Sequence, residues 1–247
     1  MKRIKSLEGK RVAIIGLGIS QVDFAIGAQN GREWDEVWCI NAAAGTYPCD
    51  RLFMLDPASR FFDSDDAGRQ TNAMTKILGQ TKYPVYTCEL DPIVPKAVVY
   101  PIEDVCNATR CAYLNNTVAY AIAFALWNKV GCLKMFGVDF TYTGNLNFAE
   151  AGRGCVEFWL SKCQNKGMLV EVANSSTLLD TSIPVEDKLY GYHRLDDPKV
   201  IVHDNENKLR VFNKSQIERG EQEQKVMYMD RYDSHLKESK AGDPNKW

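Results

Sequence analysis

The absences in this chain exclude several classes of protein. It lacks a long hydrophobic run: the apolar segment after its basic opening residues reaches only from Val12 to Leu17 and ends in glycines. That is too short for a signal-peptide core and far short of the roughly 20 residues that cross a bilayer. Excess charge is also missing, since 30 Lys and Arg face 32 Asp and Glu for a net charge of −2. No global field therefore draws the chain to nucleic acid or anionic lipid, although a local basic groove is compatible with this balance. Its three histidines, His193, His203 and His235, all fall in the C-terminal part without metal-ligand spacing. The eight cysteines, Cys39, Cys49, Cys88, Cys106, Cys111, Cys132, Cys155 and Cys163, contain no CxxC pair. Several sit inside apolar runs, so they read as reduced, buried thiols of a cytoplasmic protein rather than as disulfides or zinc ligands. There is no G-x-x-x-x-G-K-[ST] loop, no G-x-S-x-G elbow, no HExxH and no internal repeat.

What is present is an alternation of apolar runs and helical stretches across a chain of 247 residues, 45% hydrophobic, long enough for one large core. Val-Ala-Ile-Ile from Val12 is continuous enough for a strand buried on both faces, and Ser20 with Asp23 starts a helix that Gly31 closes. Glu36 to Asn41 and Arg51 to Pro57 give two more parallel strands. Residues 63 to 81 are polar and end in a short helical stretch, Ala73 to Leu78. Pro84 to Cys88 and Ala97 to Tyr100 follow as strands that neighbouring prolines demote toward the sheet edge. The clearest helix runs from Thr117 to Asn128, apolar almost all round and therefore buried on most sides. A strand from Leu133 to Asp139, a helix from Gly154 to Asn165 and a strand from Met168 to Asn174 complete the series. The pattern predicts a Rossmann-like, mostly parallel sheet with helices on both faces over residues 1–187. Residues 188–247 read as a β-hairpin, Pro198 to Val202 with Lys208 to Phe212, followed by a polar tail with a helix from Ser215 to Met229.

In such a sheet ligands sit at the carboxyl ends of the strands, here Gly16 and Gly18, Asn41, Asp56, Gly137 with Asp139, and Asn174. Gly16-Leu17-Gly18 after a buried strand opens a phosphate-binding fingerprint, since glycine admits close backbone approach and a helix N-terminus offers free N–H groups. A plain tight turn is the competing reading. Gln21 stands where the third glycine would be, and Asn41 where a nicotinamide-cofactor domain places an acid for the ribose, so a nicotinamide cofactor is disfavoured. Asn115-Asn116-Thr117 at the head of the buried helix could contact a phosphate or base, or simply cap the helix.

In this order IIGLGIS, EVWCIN, RLFMLDP, NNTVAYAIAFALWNKVGCLKMFGVDFTY and LVEVANSSTLL resemble two related families. These are the bacterial sialyltransferases that use CMP-sialic acid and the archaeal 6-hydroxymethylpterin diphosphokinase-like proteins. The resemblance spans about residues 11 to 180. It implies phosphate contacts at Gly16, Gly18 and Ser20, and nucleotide contacts at Asn41, Asp56, Asn115, Asn116, Thr117, Gly137, Asp139, Asn174 and Ser175. Tyr142 matches a tyrosine that steadies the departing phosphate. The histidine base of the sialyltransferases has no counterpart between Asp139 and Tyr192; Glu150 falls near its place, and Asp56 replaces a usual asparagine. Arg153 could pair with a donor phosphate or carboxylate, and could equally be a solvated residue.

These residues support an expectation of a nucleotide-sugar-dependent glycosyltransferase moving a sugar from a CMP- or UDP-type donor to an acceptor hydroxyl. Glu150, Tyr142 and Arg153 would be its catalytic residues. It would need no metal or other cofactor, its acceptor being a glycan, a lipid or a modified nucleobase. Two alternatives stand beside it. One is pyrophosphoryl transfer to a pterin-like alcohol, with magnesium held by Asp56 and Asp139. The other is a non-catalytic nucleotide-binding protein with the tail as interaction element. Homo-oligomerisation is compatible with any of them.

Overall fold

The computed structural model describes residues 1–29, 31, 33–64, 70–141, 146–184, 188, 199–203 and 209–217. The chain forms two compact units, residues 1–182 and 183–247.

The first unit is built on a sheet of seven strands: β1 Arg11–Ile15, β2 Glu36–Ile40, β3 Arg51–Phe53, β4 Val85–Thr87, β5 Ala97–Val99, β6 Cys132–Phe136 and β7 Leu169–Val172. Their spatial order is β5-β4-β3-β2-β1-β6-β7, with every neighbouring pair parallel. The chain winds outward from β1 in one direction as far as β5, then returns to pair β6 on the other side of β1. That reversal is a topological switch point, where parallel sheets open a crevice at their carboxyl ends.

Helices α1 Gln21–Ala28, α2 Ser59–Phe62, α3 Gln70–Gln80, α4 Ile102–Thr109, α5 Thr117–Trp127 and α6 Leu146–Asn165 cover the sheet. Alternation along the strands divides the core in two. Val12, Ile14, Trp38, Phe53, Leu133 and Met135 face α5 and α6, whereas Ala13, Ile15, Cys39, Leu52 and Phe136 face Phe24 of α1, Phe61 of α2 and Met74 and Leu78 of α3. Phe124 of α5 lies 4.6 Å from the Tyr86 ring, which stacks on Phe53 at 4.9 Å. This aromatic wedge buries the all-apolar helix against the sheet centre.

Two sequence expectations need correction, and one helix is added. β4 is interior, paired by both β3 and β5, because Pro84 precedes the strand and removes no ladder donor from it. α4, unforeseen in the sequence, ends at Arg110 in the left-handed region (φ 52°). α6 begins at Leu146 and not at Gly154, so Glu150 and Arg153 lie on a helix. Gly152 and Gly154 weaken its sequence signal. At Gly152, however, the small residue is needed: a Cβ there would stand 2.7 Å from Cε1 of Phe140.

In the second unit β8 Lys199–His203 and β9 Leu209–Asn213 form the expected antiparallel hairpin. Residues 214–217 are helical, and the rest of the stretch to Met229, like His193 and His235, lies outside the described residues.

Candidate functional site

At the switch point the glycine loop meets the end of β6. Gly16 N–H donates to Phe136 O at 2.8 Å and Gly18 N–H to Gly137 O at 2.8 Å. The backbones approach so closely that a Cβ on Gly16 would lie 3.1 Å from the Gly137 carbonyl carbon and closer still to its oxygen. On Gly18 it would lie 2.8 Å from Asp139 Cγ. Asp139 is buried, and its carboxylate accepts from Ser20 N–H at 2.8 Å and Ser20 Oγ at 2.5 Å. Ser20 Oγ also accepts from Gly137 N–H at 2.8 Å. The next three amides, of Gln21, Val22 and Asp23, bond back to Gly18, Ile19 and Ser20 carbonyls.

This changes what the fingerprint is for. An N-terminal helix turn with a glycine loop attracts an anion, and here the anion at that turn is the chain's own Asp139 carboxylate. The amides of Gly16, Gly18 and Ser20, assigned to phosphate on sequence grounds, are donors to the protein itself. Among the described residues the amides of Leu17 and Ile19 are the loop donors that face no acceptor.

Beyond β7 the chain reinforces the same junction. Ser176 Oγ donates to Val138 O at 3.0 Å, Thr177 Oγ1 donates to Asp139 O, and Ser175 N–H donates to Asp23 Oδ2 at 3.0 Å. Ser176 and Thr177 were not singled out in the sequence, where polar residues after a strand give no hint of a distant partner, and Asp23 was read only as a first-turn residue of its helix. Asn174 and Ser175 border a cavity of about 890 Å³ beside α1, walled by Phe24, Trp34, Val37 and Phe136.

A second group forms where α5 and α6 begin. Asn116 is the N-cap of α5, its Oδ1 accepting from Ala119 N–H at 3.0 Å. Its Nδ2 donates to Asn115 Oδ1 at 2.8 Å and to Gly152 O at 3.2 Å, and Asn115 Nδ2 donates to Ala151 O at 3.0 Å. The two asparagines thus tie the head of α5 to the early part of α6, one residue from the exposed Glu150. The amides of Thr117 and Val118 face no acceptor among the described residues. Arg153 is committed within the fold, to Glu157 at 2.8 Å and Asp180 at 2.6 Å, which together hold its pKa above the ordinary value. Tyr142 lies outside the described residues.

Asp56 pairs with Arg60 at 2.5 Å, and its carbonyl accepts from Thr87 Oγ1 at 3.2 Å. Asn41, immediately after β2, differs from all of these. Its backbone is in the left-handed region (φ 49°), and its Oδ1 is buried without a hydrogen-bond partner. Among the described residues the only other such side-chain oxygen is Thr71 Oγ1. A buried acceptor left unmade costs about 1–3 kcal/mol. No group of three or more His, Cys, Asp or Glu side chains suited to a metal ion occurs among the described residues, and no described helix is long and apolar enough to cross a membrane.

Comparisons with protein-family models, with curated proteins and with solved structures gave no match to this chain.

Proposed function

We propose that this protein binds a mononucleotide at the carboxyl end of its sheet and transfers the group that the nucleotide activates. The sugar of a CMP- or UDP-type donor is the group best suited to the residues present. The observation that carries the reading is Asn41, a left-handed residue whose buried Oδ1 has no partner. Unsatisfied polar atoms and unusual backbone conformations gather where a ligand completes them. Both bases offer that oxygen a donor, through the exocyclic amino group of cytosine or the ring N–H of uracil.

With the Gly16, Gly18 and Ser20 amides engaged by Phe136, Gly137 and Asp139, the phosphate falls to other donors. The Thr117 and Val118 amides at the head of α5 and the Leu17 and Ile19 amides are free for it. Glu150, exposed and next to the Ala151 carbonyl that Asn115 holds, is the candidate base for an acceptor hydroxyl. The magnesium-dependent alternative has less support, because Asp56 is paired with Arg60 and Asp139 with Ser20.

Thermal-shift measurements with CMP, UDP, ATP with and without magnesium, and NAD test the reading. Metal-free CMP or UDP should raise Tm, by linkage worth about 2.7 kcal/mol when ligand stands at a hundred times Kd. Asn41→Gly should keep the fold and abolish that shift. Failure of every nucleotide to move Tm, or an unchanged shift in Asn41→Gly, overturns the proposal. Glu150→Gln should slow sugar transfer by about 10²–10⁴-fold if Glu150 is the base.

A further inference from the structure

The opposite end of the first unit carries a different chemistry. A groove of about 1190 Å³ runs between the N-terminal segment, the ends of α4 and α5, and the end of α6. It is lined by five cationic side chains, Arg3, Arg110, Lys129, Lys162 and Lys166, against one described carboxylate, Glu8, which Lys129 meets at 3.4 Å. Among the described residues no carboxylate lies within ion-pair distance of Arg3, Arg110, Lys162 or Lys166. In a chain of net charge −2 this is a strong local asymmetry.

Helix dipoles account for part of it. Arg110 caps α4, Lys129 follows α5, and Lys162 and Lys166 lie at the end of α6, where the helix carries partial negative charge. That explains a cation at each helix end. It does not explain their convergence on one concave surface, nor the aromatic rings that adjoin it. Along α6 Phe158 and Lys162 are four positions apart and so share one face, and Lys166 follows in the turn just past the helix. Lys162 Nζ lies 5.8 Å from the Phe158 ring centre, and Phe158 meets Tyr113 edge to face at 5.7 Å. Both rings are exposed, at 42% and 45%.

We infer that this groove, with the Tyr113 and Phe158 rings beside it, binds single-stranded nucleic acid. Cations that follow a groove hold the phosphates, and exposed rings stack on bases; together they are the two elements of strand binding without sequence readout. A single strand fits better than a duplex, whose bases are already stacked. It also fits better than a bilayer, because a flat anionic surface reaches the rim of a concave site and leaves its floor empty.

The test is fluorescence anisotropy of the full chain with labelled 12-nucleotide oligo-dT and oligo-U over a salt series, with vesicles containing one-third phosphatidylserine and inorganic polyphosphate as further probes. Each of five cations neutralising a phosphate would contribute about −0.7 to the slope of log K against log salt. A slope steeper than about −2, and roughly a hundredfold loss of affinity from 50 to 200 mM salt, is expected. Lys162→Glu with Lys166→Glu, and separately Arg110→Glu with Lys166→Glu, should each weaken binding at least tenfold while Tm stays within a few degrees. Phe158→Ala should weaken oligonucleotide binding and leave polyphosphate binding unchanged. Absence of oligonucleotide binding at 50 mM salt, or binding that both double variants retain, overturns the inference. So does binding of polyphosphate or vesicles alone, or an oligonucleotide affinity that Phe158→Ala leaves intact.

Discussion

The two ends of the sheet treat polar groups in opposite ways. At the carboxyl end nearly every candidate side chain is used by the fold: Asp139 by Ser20, Arg153 by Glu157 and Asp180, Asp56 by Arg60, Asn115 and Asn116 by α6. Asn41 Oδ1, buried without a partner, and the exposed Glu150 are exceptions among the described residues. At the amino end four of the five groove cations stand without a described carboxylate partner. Polar groups paired inside the chain fix geometry, and those left unpaired are available to another molecule. The end that conventional α/β logic marks as the ligand site is thus largely self-satisfied, and what remains there for a ligand is a short set of atoms.

Substitutions should separate the two ends. The largest effect belongs to Asp139→Ala, which strands the Ser20 amide and hydroxyl. At about 1–3 kcal/mol for each buried donor left without an acceptor, a loss of about 3 kcal/mol in urea unfolding is expected. Were the loss under 1 kcal/mol, the self-satisfied junction would be a weak one and phosphate could compete for it. Gly18→Ala should follow at about 1–3 kcal/mol, since its Cβ meets the same carboxylate and buried overpacking costs that much. Asn41→Gly should be stability-neutral or stabilising, because glycine tolerates the left-handed backbone and the orphan oxygen disappears with it. Its loss should instead be read in nucleotide binding. Lys166→Ala, exposed and unpaired among the described residues, should change stability by no more than about 0.5 kcal/mol, so any effect would be on a bound partner.

A pH effect on stability should be the mildest. Burial pushes the Cys163 thiol from its ordinary 9.0 up to about 12, and burial together with Cys49 pushes the Tyr83 hydroxyl from 10.0 up to about 12. Both folded-state values are raised, so the folded protein holds these protons more tightly than the unfolded chain. Their contribution is complete below pH 9 and fades as pH rises toward 12. Tm should fall across that window, and Cys163→Ala should flatten the fall.

The strand-helix alternation of the first unit was legible because parallel strands buried on both faces must be apolar throughout, as Val12 to Ile15 and Val37 to Ile40 are. α5 was legible for a similar reason: a helix buried on most sides carries alanine and apolar residues all round. The start of α6 was hidden by Gly152 and Gly154; at Gly152 the reason for being small is the Phe140 ring from another segment, whereas the space around Gly154 is open. α4 was hidden because its amphipathic spacing, Ile102, Val105 and Cys106, is carried by only eight residues, too short a stretch to stand out as a helix in the sequence.

Residue types and their order by themselves determined a mostly parallel sheet and which residues stand at the carboxyl ends of its strands; the strand order, with its switch beside β1, came from the tertiary structure. Local periodicity and turn chemistry are properties of neighbours in the chain, and a sequence displays them directly. Whether the glycine loop faces a ligand or the protein was decided only in three dimensions. Gly16-Leu17-Gly18-Ile19-Ser20 reads the same whether its amides meet a phosphate or Asp139, 119 residues away from Ser20. The convergence of Arg3, Arg110, Lys129, Lys162 and Lys166 was equally invisible, because helix ends distant in the chain become neighbours only once the sheet has set the helices side by side.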